Sequence, residues 1–133
     1  MAEQVVRLHF HQFWLFIGMC LVSMVIYLSL NTGEPSAVAS FLHDKLSHML
    51  GYFGLMLWFL QLYSSRGKRW LVAGLLVMMG VMLEYLQGIG GVRTFEFEDM
   101  LANTLGVVIG WLIALMGADR ILGWIERRYL VRC

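Results

Sequence analysis

The sequence predicts an all-α membrane protein: four transmembrane helices with both termini in the cytoplasm. Three observations carry that prediction. Hydrophobic residues make up 59% and charged residues 14% of the 133 residues, against roughly 45–50% and about 25% in soluble domains. A soluble chain this short has too little interior to hide so much apolar surface. Apolar residues also gather in four runs, about Phe10–Leu30, Leu46–Tyr63, Trp70–Gln87 and Met100–Met116, each near the roughly 20 residues that a span requires. Finally, positive charge is unevenly shared among the connecting segments, which orients a membrane protein. The whole chain, 1–133, reads as one domain.

The first run follows Arg7, and Ala37-Val38-Ala39 has the form of a signal-peptidase site. The run exceeds the roughly 7–15 residues of a signal sequence's apolar region, so an uncleaved spanning helix is expected. The turn segment Asn31–Ser36 follows, holding the single proline, Pro35, and Ser36–His43 reads as a short surface helix. The second and third runs are joined by Ser64–Arg69, with three positive charges at Arg66, Lys68 and Arg69. The third and fourth are joined across Gly88–Arg93, whose glycines permit close backbone approach. The tail 117–133 has apolar and basic faces and is expected to lie along the inner interface. Positive charge in the N-terminal tail, second loop and C-terminal tail places those segments inside. The first and third loops hold Lys45 and Arg93 against Glu34, Asp44, Glu96, Glu98 and Asp99, and are expected outside.

Other features exclude function classes. The net charge of +1 supplies no basic field for nucleic acid. No cofactor motif and no metal-binding spacing occurs, so neither group is expected. Cys20 lies inside a span and Cys133 ends the chain, too far apart for a disulfide. His9 and His11 read as interfacial residues. Ala102, Gly106, Gly110 and Ala114 recur every four residues, which predicts a close helix-packing seam.

The chain also echoes itself. Asp44–Gly51 matches Asp99–Gly106 at Asp, two Leu and Gly, and Met24–Ser29 resembles Met82–Gln87 in Met, Tyr and Leu. The echo predicts two duplicated hairpins in the same orientation, related by an axis along the membrane normal.

Helical spacing collects the polar groups. Asp44 and His48 share a face, as do Glu84 and Gln87, and Asp99 and Asn103. Each set falls about one turn inside the outer end of its helix, and Lys45 and Arg93 stand beside them. Ionisable groups within a span are costly unless they face partners or water. The bland expectation is internal pairing, Glu84 with Lys45 or Arg93, and Asp99 capping the fourth helix. The functional expectation is an outward-facing pocket. There Arg93, Lys45 and protonated His48 hold an anion, and Glu84, His48 or Asp99 serves as acid or base.

The ordered set Asp44-Lys45-x-x-His48, Glu84-x-x-Gln87, Arg93 and Asp99-x-x-x-Asn103-x-x-Gly106 resembles the VanZ-like family. The run Arg93–Asp99 also looks like that family's stretch from arginine to aspartate. The resemblance implies a small multi-pass protein of the bacterial cytoplasmic (inner) membrane. The family's name-giving member is associated with resistance to the glycopeptide teicoplanin. The resemblance further implies importance for Asp44, Lys45, His48, Glu84, Gln87, Arg93, Asp99 and Asn103. Together these readings favour binding or modification of an anionic, lipid-linked envelope component, with membrane lipids as partners. The competing expectation is a non-enzymatic scaffold whose polar layer only fixes helix packing. A transporter subunit fits less well, because the polar groups sit at one end and not through the midplane.

Overall fold

The computed structural model describes residues 8–31, 38–91 and 94–131. Among them there is no strand, and the chain is helical almost throughout: α1 His11–Asn31, α2 Val38–Leu62, α3 Arg66–Ile89, α4 Phe97–Leu115 and a short α5 Ile121–Ile125. A 3-10 turn, Ala118–Arg120, precedes α5, and a π turn, Glu126–Leu130, follows it.

α1, α3 and α4 are long and apolar enough to cross a membrane. α2 falls outside that group although it is the longest, at 25 residues. Asp44, Lys45, Ser47 and His48 in its first half and Gln61 near its end lower its hydropathy. The fold explains how such a helix is tolerated: α2 packs against all three of the others. Its Tyr52, Leu55, Met56, Phe59, Leu60 and Leu62 are the centre of the core. α1 is the opposite case. Only Gly18 and Ser29 are buried along its length, and Phe13, Phe16, Met19, Met24 and Tyr27 point outward, as expected of a helix whose neighbour is lipid.

α4 lies closest to α2. A Cβ on Gly106 would stand 2.2 Å from the Met49 carbonyl oxygen, and one on Gly110 would stand 2.9 Å from the Phe53 carbonyl oxygen. The small-residue seam therefore brings two backbones together, and the ordered pairing of 106 with 49 and 110 with 53 makes the two helices parallel. At the end of α3 the chain turns on Gly90 and on Gly91, whose φ of 66° is left-handed. Gly117, φ 105°, performs the same service after α4.

Element ends differ from the sequence expectation in one informative place. The short surface helix expected over Ser36–His43 is the first part of α2 from Val38 onward. Nothing breaks the helix between it and the span, because His43, Asp44 and Lys45 are ordinary helix residues that find polar surroundings. The Asn31–Ser36 turn lies almost wholly outside the described residues, as does Cys133; Cys20 is a free, exposed thiol. The tail docks on the helix ends: Leu122, Gly123 and Glu126 are buried, while Trp124, Tyr129 and the two arginines 127 and 128 stay exposed.

Candidate functional site

α2, α3 and α4 deliver their charged groups to one layer. The Lys45 ammonium donates to the side chains of both Glu96 and Asp99. Asp99 is fully buried. His48 Nε2 stands 3.8 Å from Asp99 Oδ2 and 3.9 Å from Asp44 Oδ1. Glu84, 1% exposed, accepts the Glu96 backbone N–H at Oε1 over 2.7 Å. Glu96 is thus the link, tied to Glu84 through its amide and to Lys45 through its carboxylate. Taking such charges out of water is tolerated only with partners in place, and removing one partner of a buried pair typically costs about 3–5 kcal/mol.

Several expected members take other places. Gln87 donates its amide to the Ser29 backbone carbonyl, joining α3 to α1. Asn103 leans on Gly80: a Cβ there would lie 3.1 Å from Asn103 Nδ2 and 3.4 Å from the Tyr52 hydroxyl. Asp99 does not cap α4. The N-cap is Glu96, and Asp99, in the first turn, turns its carboxylate toward Lys45 and His48, where its charge also complements the helix N-terminus. Arg93 lies outside the described residues. Tyr52 hydroxyl and Asn103 Oδ1 are buried with no hydrogen-bond partner among the described residues.

Beside the layer, α1 and α2 enclose a cavity of about 310 Å3. Met24, Val25 and Leu28 form an apolar wall on α1, and His43, Asp44, Ser47, His48 and Tyr52 form a polar one on α2. A larger hollow of about 520 Å3 separates α1 from α3 nearer the other end, bounded by Leu15, Met19, Phe59, Leu76 and Lys68. Its lining is almost wholly apolar, so it offers room for a hydrocarbon chain but little chemistry.

A model of the VanZ/LLP1 family matches residues 4–118. The chain belongs to the VanZ/LLP1 family. The matched stretch holds α1 to α4 and every residue of the charged layer, and stops before α5. No curated protein and no solved structure matches the chain.

In this VanZ/LLP1 chain the opposite end carries a second polar cluster, to which no spacing in the sequence points. Glu126 accepts the backbone N–H groups of His9 and Phe10 at 2.6 and 2.9 Å and the indole N–H of Trp14 at 2.6 Å. Burial pushes its carboxyl upward, but these three donors outweigh burial and hold it below the ordinary value. Arg69 reaches Asp119 at 2.6 Å and the Tyr63 carbonyl at 2.8 Å, while Gln61 Oε1 accepts the Leu122 N–H at 2.8 Å. His9, Phe10 and Trp14 are therefore tied to Glu126, and the segment 119–122 to the ends of α2 and α3.

Two members of the candidate site are also absent from the sequence expectation. Glu96 reads there only as loop charge, though its place three residues before Asp99 is a signal for the first turn of a helix. Ser29 contributes through its carbonyl, which no side-chain pattern reveals.

Proposed function

We propose that this protein is a four-span protein of the bacterial cytoplasmic membrane, with both termini in the cytoplasm. Its charged layer, in this reading, binds or modifies the polar head of an anionic, lipid-linked envelope component. The observation that supports the reading best is the α1–α2 cavity. One wall is aliphatic and the other carries Asp44, Ser47 and His48, so a chain and a head can be held side by side. Its polar wall continues directly into the layer of Asp99, Lys45 and Glu96. Acid and base groups within reach of a lipid head suit either recognition or proton transfer.

A second reading, a scaffold whose polar layer fixes packing, has its own observation in favour. Lys45 is engaged by two carboxylates, and Glu84 holds the Glu96 backbone, contacts that a purely structural network would contain. The two readings separate on Glu84→Gln and Arg93→Ala, examined both for stability in detergent and for susceptibility of the host strain to teicoplanin. A pocket role predicts folded variants that lose the phenotype. A scaffold role predicts variants that lose the fold along with it, and that outcome would retire the pocket.

A further inference from the structure

We propose that Asp44, His48 and Asp99 form a binding site for a single divalent transition-metal ion. His48 Nε2, Asp44 Oδ1 and Asp99 Oδ2 all lie within 4.8 Å of one another, with 3.8 and 3.9 Å separating the imidazole nitrogen from the two oxygens. Those separations exceed hydrogen-bond length, which ends near about 3.2 Å. They are close to the spacing of ligands around one ion: atoms at about 2.0–2.2 Å from a metal stand roughly 3–3.6 Å apart at octahedral or tetrahedral angles. The two imidazole–carboxylate separations close by a few tenths of an ångström in each side chain, and the two carboxylate oxygens, within 4.8 Å of each other, come together around the same ion. One imidazole nitrogen and two carboxylate oxygens suit Mn2+ or Zn2+, and three protein ligands leave positions open toward the cavity.

The surroundings fit an ion as well. Lys45 binds Asp99 at Oδ1 and leaves Oδ2 turned toward His48, the outer-shell arrangement that orients a ligating carboxylate. The ammonium also lowers the donor strength of that carboxylate, so moderate affinity is expected. Tyr52, four residues beyond His48 on α2, also lines the cavity and is buried; its hydroxyl lies against Gly80 on α3.

An ion there would give an acid-rich pocket a positive centre facing the cavity. That consequence for an anionic head rests on the lipid reading above; the ion itself does not, so the metal alone tests the site. Purified full-length protein in detergent is titrated with Mn2+, and bound ion is followed by electron paramagnetic resonance. The wild type should bind one equivalent saturably, with nitrogen hyperfine coupling from a single imidazole. His48→Gln and Asp44→Asn should each weaken binding by roughly tenfold or more, the loss of one ligand from a three-ligand set. A His9→Gln, His11→Gln double variant should bind as the wild type does. The imidazole coupling is read on the wild type, so a variant that fails to fold does not remove the test. Absence of saturable binding, a wild-type spectrum without nitrogen coupling, or binding that disappears only in the tail double variant would each overturn the site.

Discussion

Glu126 lies in the last described turn of the chain, is 3% exposed and takes three donors from residues 112 to 117 positions earlier. Hydrogen bonds to an ionised group are each worth about 1.5–3 kcal/mol. Glu126→Gln, which removes the charge and aims an amide at backbone donors, should lower stability in detergent by an amount of that order. The pH dependence follows from the direction of the shift. The carboxyl is held below its ordinary value in the folded protein, so its contribution is complete above the unfolded value of about 4.3. It is lost as pH falls through the lower folded value. Thermal unfolding from neutral pH into the acid range should therefore show the gap between wild type and Glu126→Gln closing as the pH drops below about 4.3. A gap that is constant with pH would mean that the donors do not depend on the charge. Spacing within one helix makes Asp44, His48, Glu84 and Asp99 legible as candidates. Glu126 is not legible in that way, because its donors come from the other end of the chain; for Asp44, His48 and Asp99 the spacing gives the shared face and layer, while the approach of Asp99 to His48 is made only by the packing of α4 on α2.

The pairing of α2 with α4 shows what a periodic pattern can and cannot reveal. Ala102, Gly106, Gly110 and Ala114 announce a close contact on α4, but nothing in them names the partner. α2 carries no matching stripe; it presents the backbone at Met49 and Phe53 and the side chain of Met56. A Cβ at Gly106 would fall 2.2 Å from a backbone oxygen that cannot swing aside. Gly106→Ala should therefore force the helices apart and cost at least the roughly 1–3 kcal/mol typical of overpacked cores. Gly54, on α2, has open space where a Cβ would point, with nothing within 4 Å. Gly54→Ala should accordingly be neutral or stabilising, by up to about 1 kcal/mol from helix propensity. Denaturation of the two variants side by side checks the seam: equal effects would show that the α2–α4 approach is not a stability determinant. Hydropathy alone undervalues α2, because most of the polar residues that lower its score are half-buried and partnered: Lys45 by Glu96 and Asp99, and Gln61 by the Leu122 N–H.

At the scale of the molecule, the ends of α2 bear on how many times the chain crosses the bilayer. α4 is long and apolar enough to cross. α2 runs parallel to it and is tied to it near both ends, by Lys45 to Asp99 at the start and by Gln61 to Leu122 just beyond the α4 terminus. If α4 crosses, a helix held alongside it at both ends crosses with it, even though its own composition falls short. In the proposed topology, four crossings put both termini on one side. The charges choose which side: Arg7, Arg66, Lys68, Arg69, Arg120, Arg127, Arg128 and Arg132 are eight of the ten basic residues. All eight belong to the two tails and the start of α3, leaving Lys45 and Arg93 for the other side. In the proposal, the positive-inside rule makes the crowded side the cytoplasmic one. The same arrangement puts Asp44 and Asp99 in one layer, each within 4 Å of His48, as two hairpins of like orientation require. Reporter fusions at Arg66 and at Ser40 should then read inside and outside respectively. Because Ser40 lies in the first turn of α2 and Arg66 opens α3, an identical reading at both would mean that α2 does not cross. The charged layer and the tail cluster would then lie on the same side of the membrane, and the four-crossing topology would fail.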